Sequence, residues 1–146
     1  MNASLLALWK EGRTRFTKLL DAAQESDLPK RNGDSPNSAG FLIRHIAEVE
    51  LLFAKNVFGL AEVKIVAKTL IAGKDTGEWT QLAELKEISV YAAEMLEKAI
   101  LVQADWDQII ETKEFGKKTR AEALGRITTH TAYHAGQLAL VLKYGR

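Results

Sequence analysis

Three histidines are the residues of this chain best placed to do chemistry. His130 and His134 stand four apart inside the apolar run from Leu124 to Leu142, and His45 lies in Phe41-Leu42-Ile43-Arg44-His45-Ile46-Ala47-Glu48-Val49. Four residues make about one turn of helix, so His130 and His134 stack on one face with Cβ atoms roughly 5–6 Å apart. Two imidazoles in that relation can share one metal ion, and a third from another helix makes a three-nitrogen set with open coordination positions. A solitary histidine on an apolar helix face is more often a packed residue, and a lone His-x-x-x-His arises by chance. Here every histidine falls on an apolar stripe, and burying three imidazoles without a common purpose would leave several ring nitrogens unsatisfied.

Neutral imidazoles suit zinc, nickel, iron or copper better than magnesium or calcium, which prefer oxygen. Ligation needs the unprotonated rings, so metal affinity is expected to fall as pH drops through about 6.5. Glu48, one turn from His45, is the candidate general base. It could also be a fourth ligand, an acceptor for a ligand ring, or simply a solvated helix carboxylate. Gln137, one turn beyond His134, could orient that ring or a bound water, or be a polar residue at the rim of the core. The chain has no cysteine, which excludes disulfides, thiolate metal sites and a cysteine nucleophile.

Four long helices must position these groups. In the first, from about Asn2 to Glu25, Leu5, Leu8, Trp9, Gly12, Phe16, Leu19, Leu20 and Ala23 recur at helical spacing and are expected inward. Lys10, Arg13, Lys18 and Asp21 are expected on the outer side. A breaker-rich loop follows, from Ser26 to Pro36. The second helix starts at a cap on Asn37 or Ser38 and ends before Gly59, with Phe41, Leu42, His45, Val49, Leu52 and Phe53 inward. The segment from Leu60 to Glu78 is weakly patterned, a short helix or an irregular stretch, and Val63-Lys64-Ile65-Val66 could be extended. The third helix spans about Thr80 to Ala104, with its inward stripe running from Leu82 to Val102 and a Glu94–Lys98 pair outside. The linker from Asp105 to Lys118 allows a small hairpin around Ile109–Thr112 and Phe115–Gly116. The fourth helix opens on the capping box Thr119-Arg120-Ala121-Glu122 and runs to about Lys143. These elements predict an all-α single domain over residues 1–146, a four-helix bundle with a short extra helix or irregular segment between helices two and three.

Gly125, Thr128, Thr129, Ala132, Gly136 and Ala139 make one face of the fourth helix small. Each mid-helix glycine costs about 1 kcal/mol relative to alanine, so close approach of a neighbouring helix is expected, within the bundle or across a dimer. The 146 residues carry 47 % apolar and 27 % charged side chains with a net charge of +1. That balance leaves no electrostatic footprint for nucleic acid or an acidic membrane surface. With no signal peptide and no apolar run near the roughly 20 residues that cross a bilayer, the sequence reads as cytoplasmic.

With these residues in view, the chain resembles the DinB family of metal-binding four-helix bundles, also called DinB/YfiT-like metalloenzymes. The resemblance rests on His45 in Ile43-Arg44-His45-Ile46-Ala47-Glu48 and on His130-Thr131-Ala132-Tyr133-His134-Ala135-Gly136-Gln137-Leu138, and it covers nearly the whole chain. It implies that His45, His130 and His134 hold a divalent metal, with waters completing the shell, and that the chain pairs as a homodimer. Characterised relatives include thiol-dependent transferases and isomerases. Members often carry arginine after the second histidine of the pair, where this chain has Ala135. Two function classes follow. One is a metal-dependent enzyme, a hydrolase or a transferase using a low-molecular-weight thiol, with zinc or nickel ahead of iron, manganese or copper. The other is a non-catalytic metal-binding stress or accessory protein. An open coordination position facing a substrate-sized cleft would separate them. A plain dimeric bundle without metal is the third alternative.

Overall fold

Side-chain capping starts two of the long helices where the sequence places their caps. The computed structural model describes residues 1–113 and 115–146; Glu114, within the Asp105–Lys118 linker, lies outside them. Helix α1 runs Asn2–Ala22, α2 Ala39–Leu52, the short α3 Lys68–Ala72, α4 Leu82–Leu101 and α5 Arg120–Tyr144. Ser38 caps α2 by accepting the Phe41 N–H at 3.2 Å. Thr119 and Glu122 cap α5 reciprocally: Thr119 Oγ1 accepts the Glu122 N–H at 3.1 Å, and Glu122 Oε2 accepts the Thr119 N–H at 2.7 Å. Both satisfy N–H groups that a helix start otherwise leaves unpaired.

The four long helices form a bundle in which α2 packs on α4 and α5, and α1 packs on α5 and α4. The first two long helices, α1 and α2, and the last two, α4 and α5, therefore lie across the diagonals, which the long connections at residues 23–38 and 102–119 permit. Between α2 and α4, α3 forms the expected short helix, while residues 63–67 take up neither helix nor strand. Strands β1 (Ile109–Thr112) and β2 (Gly116–Thr119) form an antiparallel hairpin with Ile109 opposite Thr119, leading straight into α5.

At its C-terminal end α2 widens into a π-helical turn, Phe53–Val57, closed by the Phe58 N–H donating to Phe53 O at 2.9 Å. Gly59, at φ +75°, then turns the chain, a backbone angle that costs glycine nothing sterically.

The core divides along the bundle. One cluster gathers Trp9, Val49, Phe53, Leu96, Ile100 and Ile127; the other gathers Phe16, Leu20, Leu42, Ile46 and Leu138. The first helix departs from expectation here. Leu8 is 66 % exposed, whereas Arg13, expected outside, is buried. Its guanidinium grips Glu50 through Nε at 2.9 Å and Nη2 at 3.1 Å, and Nη2 also donates to Ser89 O at 3.0 Å. Burial pushes the Glu50 carboxyl up and the Arg13 charge opposes it. Apolar periodicity misplaces such a residue because an arginine with a buried partner follows its partner, not the stripe. Val102 is likewise exposed rather than inward, and Lys98 pairs with Glu62 from the preceding connection rather than with Glu94. Among the described residues no helix is long and apolar enough to cross a membrane.

Candidate metal centre

His45 projects from the middle of α2, and His130 and His134 project from consecutive turns of α5. The ring centroids lie 5.2 Å apart for His45–His130, 4.8 Å for His45–His134 and 4.4 Å for His130–His134. One ligand atom from each ring falls within 4.8 Å of those of the other two. The i, i+4 spacing sets the pair, and the packing of α2 against α5 supplies the third ring.

Each ring has its own surroundings. The His45 Nδ1 lies 3.2 Å from Thr69 Oγ1, and the Thr69 hydroxyl donates to Glu48 Oε1 at 2.5 Å. A carboxylate only accepts, so the threonine proton is committed to Glu48 and its lone pair faces the ring. His45 must then carry its proton on Nδ1, which leaves Nε2 with a free lone pair. His134 is held in the same sense: its Nδ1–H donates to Gln137 Oε1 at 2.7 Å. His130 Nδ1 is buried and has no hydrogen-bond partner among the described residues.

Burial is the largest cause holding the rings neutral. It pushes His45 down to about 4, assisted by the charge of His134 and opposed by Glu48. It pushes His130 down to about 3, assisted by His134, His45 and Arg126. His134 is lowered too, by burial, against the hydrogen bond to Gln137. His45 and His130 therefore stay in the ligating form well below about 6.5, and His134 is shifted in the same direction. Two committed tautomers, one orphaned nitrogen and three neutral rings make a donor set that fits a divalent transition ion.

Glu48 is an enclosed carboxylate, not a solvated one. It is 0 % exposed. Its Oε2 accepts from Arg44 Nε at 2.7 Å, and its Oε1 takes both the Thr69 hydroxyl and, at 2.8 Å, the Thr69 N–H. Arg44 in turn lies 5.1 Å over the Trp79 ring. Sequence reasoning missed Thr69 because the weakly patterned stretch around it carries no periodic signal. Its contact exists only once α3 docks on α2.

Against His45 and His130 opens a cavity of about 830 Å³, within the range of small-molecule sites. Val49, Leu52, Phe53, Val57 and Leu70 form much of its wall. The π-helical turn of α2 thus contributes Phe53 and Val57 to the wall.

A helical bundle carrying three converged, neutral imidazoles beside a cavity is a candidate three-histidine metalloprotein. The chain belongs to the DinB superfamily, whose family model matches residues 8–138. No curated protein and no solved structure matches it.

Proposed function

We propose that this chain is a metal-dependent enzyme, a hydrolase or a transferase using a low-molecular-weight thiol, with a divalent ion held by His45, His130 and His134. Zinc or nickel comes first, with iron, manganese and copper behind them. The observation that carries the catalytic reading is the cavity of about 830 Å³ bordered by two of the three histidines. A sensor or buffer needs no such space beside its ion. When bound, the ion supplies a Lewis acid that brings a water or thiol proton within reach of neutral pH.

The protein's own residues do the positioning. Thr69 and Glu48 fix the His45 tautomer, which leaves Nε2 free to ligate, and Arg44 neutralises Glu48. Gln137 locks His134. Glu48 is thus a positioning residue in this reading and takes no proton from substrate. With three protein ligands, the coordination shell keeps a position for substrate, whereas a structural zinc site normally uses four. The reading also includes a two-fold homodimer. What supports it is the open face of α5: a Cβ added at Gly125 or Gly136 would meet nothing within 4 Å, and Tyr133 is 67 % exposed.

The test is equilibrium dialysis of untagged chain with elemental analysis, followed by a screen of the loaded protein against thiol–acceptor pairs and esters. One ion per chain is expected, with His134→Ala weakening binding more than about 100-fold and abolishing turnover. Full ion occupancy with no metal-dependent turnover in either screen transfers the chain to the accessory class. No ion uptake removes the metal reading altogether.

A further inference from the structure

The cavity has a polarity of its own. Core residues Val49 and Phe53 of α2 cluster with Leu124 and Ile127 of α5, while Leu42 and Ile46 cluster with Leu138 and Val141. The two helices therefore run antiparallel, and the cavity leaves the histidines toward the C-terminal end of α2 and the N-terminal end of α5. The eight steps from His45 to Phe53, in the π-helical turn that continues α2, span roughly 12 Å. At that far end the Phe53 and Phe115 rings lie 5.9 Å apart, and the Arg126 guanidinium sits 5.9 Å from the Phe115 ring. Among the described residues on the cavity wall, Arg126 is the only one with a permanent charge, and it makes no ion pair with any of them.

The wall between the two ends is mostly hydrocarbon, with Asn56, Thr129 and Tyr133 as its uncharged polar side chains besides the histidines. A sugar-like molecule carries more hydroxyl groups than these few side chains can pair, and each one left unpaired disfavours binding. Aliphatic or aromatic carbon meets no such cost. At the far end a guanidinium presents a planar fork that matches a carboxylate with two parallel hydrogen bonds. The small residues Thr129 and Ala132, both on the cavity wall, leave that volume open.

We propose that the cavity takes an elongated molecule with an apolar body, its reacting end at the histidines and an anionic group, a carboxylate by preference, on Arg126. This deepens the metal-enzyme reading and rests on it for which end reacts. It assigns the apolar acid to the acceptor or hydrolysable substrate, since a polar thiol matches this wall poorly.

The experiment is calorimetric titration of the full chain, with and without one equivalent of Zn²⁺, against three probes: octanoate, octan-1-ol and gluconate. Octanoate should bind at least about tenfold tighter than octan-1-ol, a difference of about 1.4 kcal/mol, and gluconate should give no measurable heat of binding. Arg126→Gln should bring octanoate to the level of octan-1-ol, and Ala132→Trp, at an exposed helix position that tolerates the bulk, should remove both. Equal binding of the acid and the alcohol, an unchanged Arg126→Gln variant, or tight binding of gluconate would overturn the proposal. Zinc uptake is read separately. A chain that binds octanoate but no zinc keeps this inference and loses the metal reading; one that binds zinc but no octanoate does the reverse.

Discussion

At the scale of single residues, the site depends on which nitrogen of each imidazole carries the proton, and that is set by Thr69 and Gln137. Thr69→Val keeps the shape of the side chain and removes the oxygen between Glu48 and His45. Zinc affinity should fall about 10- to 100-fold with helicity unchanged, while Thr69→Ser should retain it; a competition titration with a chromophoric chelator reads both. An unchanged Thr69→Val variant would show that the ring is held by packing alone. The depressed histidines also bear on stability. In the unfolded chain each imidazole takes up a proton below about 6.5, whereas folded His45 and His130 resist until about 4 and about 3. Between those limits the unfolded state binds more protons, so the metal-free bundle loses stability as pH falls and gains nothing from these rings above about 7. Urea midpoints at pH 7 and pH 5 should differ in that direction, and the His45→Phe/His130→Phe double variant should flatten the difference.

At the scale of elements, the segment carrying Thr69 must be pressed onto α2, and Gly40 governs how closely. A Cβ on Gly40 would overlap the Trp79 carbonyl oxygen. That neighbour is backbone and cannot rotate away. Gly40→Ala should therefore push the 73–81 connection off the first turn of α2, despite alanine's better helix propensity. We expect a loss of about 1–3 kcal/mol in a denaturant titration, along with weaker metal binding, because Arg44, stacked on Trp79, is part of the chain that holds His45. Stabilisation by Gly40→Ala would mean that the connection is free to shift. Gly12 is the counterpart on the far side of the bundle, where a Cβ would overlap Thr128 Cγ2; this contact accounts for one member of the small face of α5.

At the scale of the molecule, the two glycines of that face, Gly125 and Gly136, meet no neighbour among the described residues. Gly136 has open space around it, so its cost in helix propensity is repaid by no intrachain contact. In the proposed two-fold pair, Gly136→Trp should shift the chain toward monomer in sedimentation at micromolar concentration without lowering its unfolding midpoint as a monomer. A wild-type chain that sediments as a monomer would remove the pair. The buried Arg13–Glu50 bond belongs to this scale as well: its hydrogen bonds join α1, α2 and α4. It ties down the middle of the bundle from which His45 projects.

What was legible in the sequence is what a single helix dictates. The i, i+4 spacing of His130 and His134, the Thr119–Glu122 capping box and the Ser38 cap depend on residues within one turn of each other, and each stands where local geometry puts it. The bundle follows from four such stripes needing burial. What the tertiary structure decided is which side chains meet across elements. Arg44, one turn back on the same helix, engages one oxygen of Glu48, but the other reads as available until α3 docks and Thr69 takes it. Arg13 reads as solvent-facing until Glu50 arrives from another helix. Arg126 becomes the charged end of a cavity only because the hairpin brings Phe115 alongside it. A helix period carries the direction of a side chain but not the chemistry of what it faces, and for buried polar groups the facing chemistry sets the role.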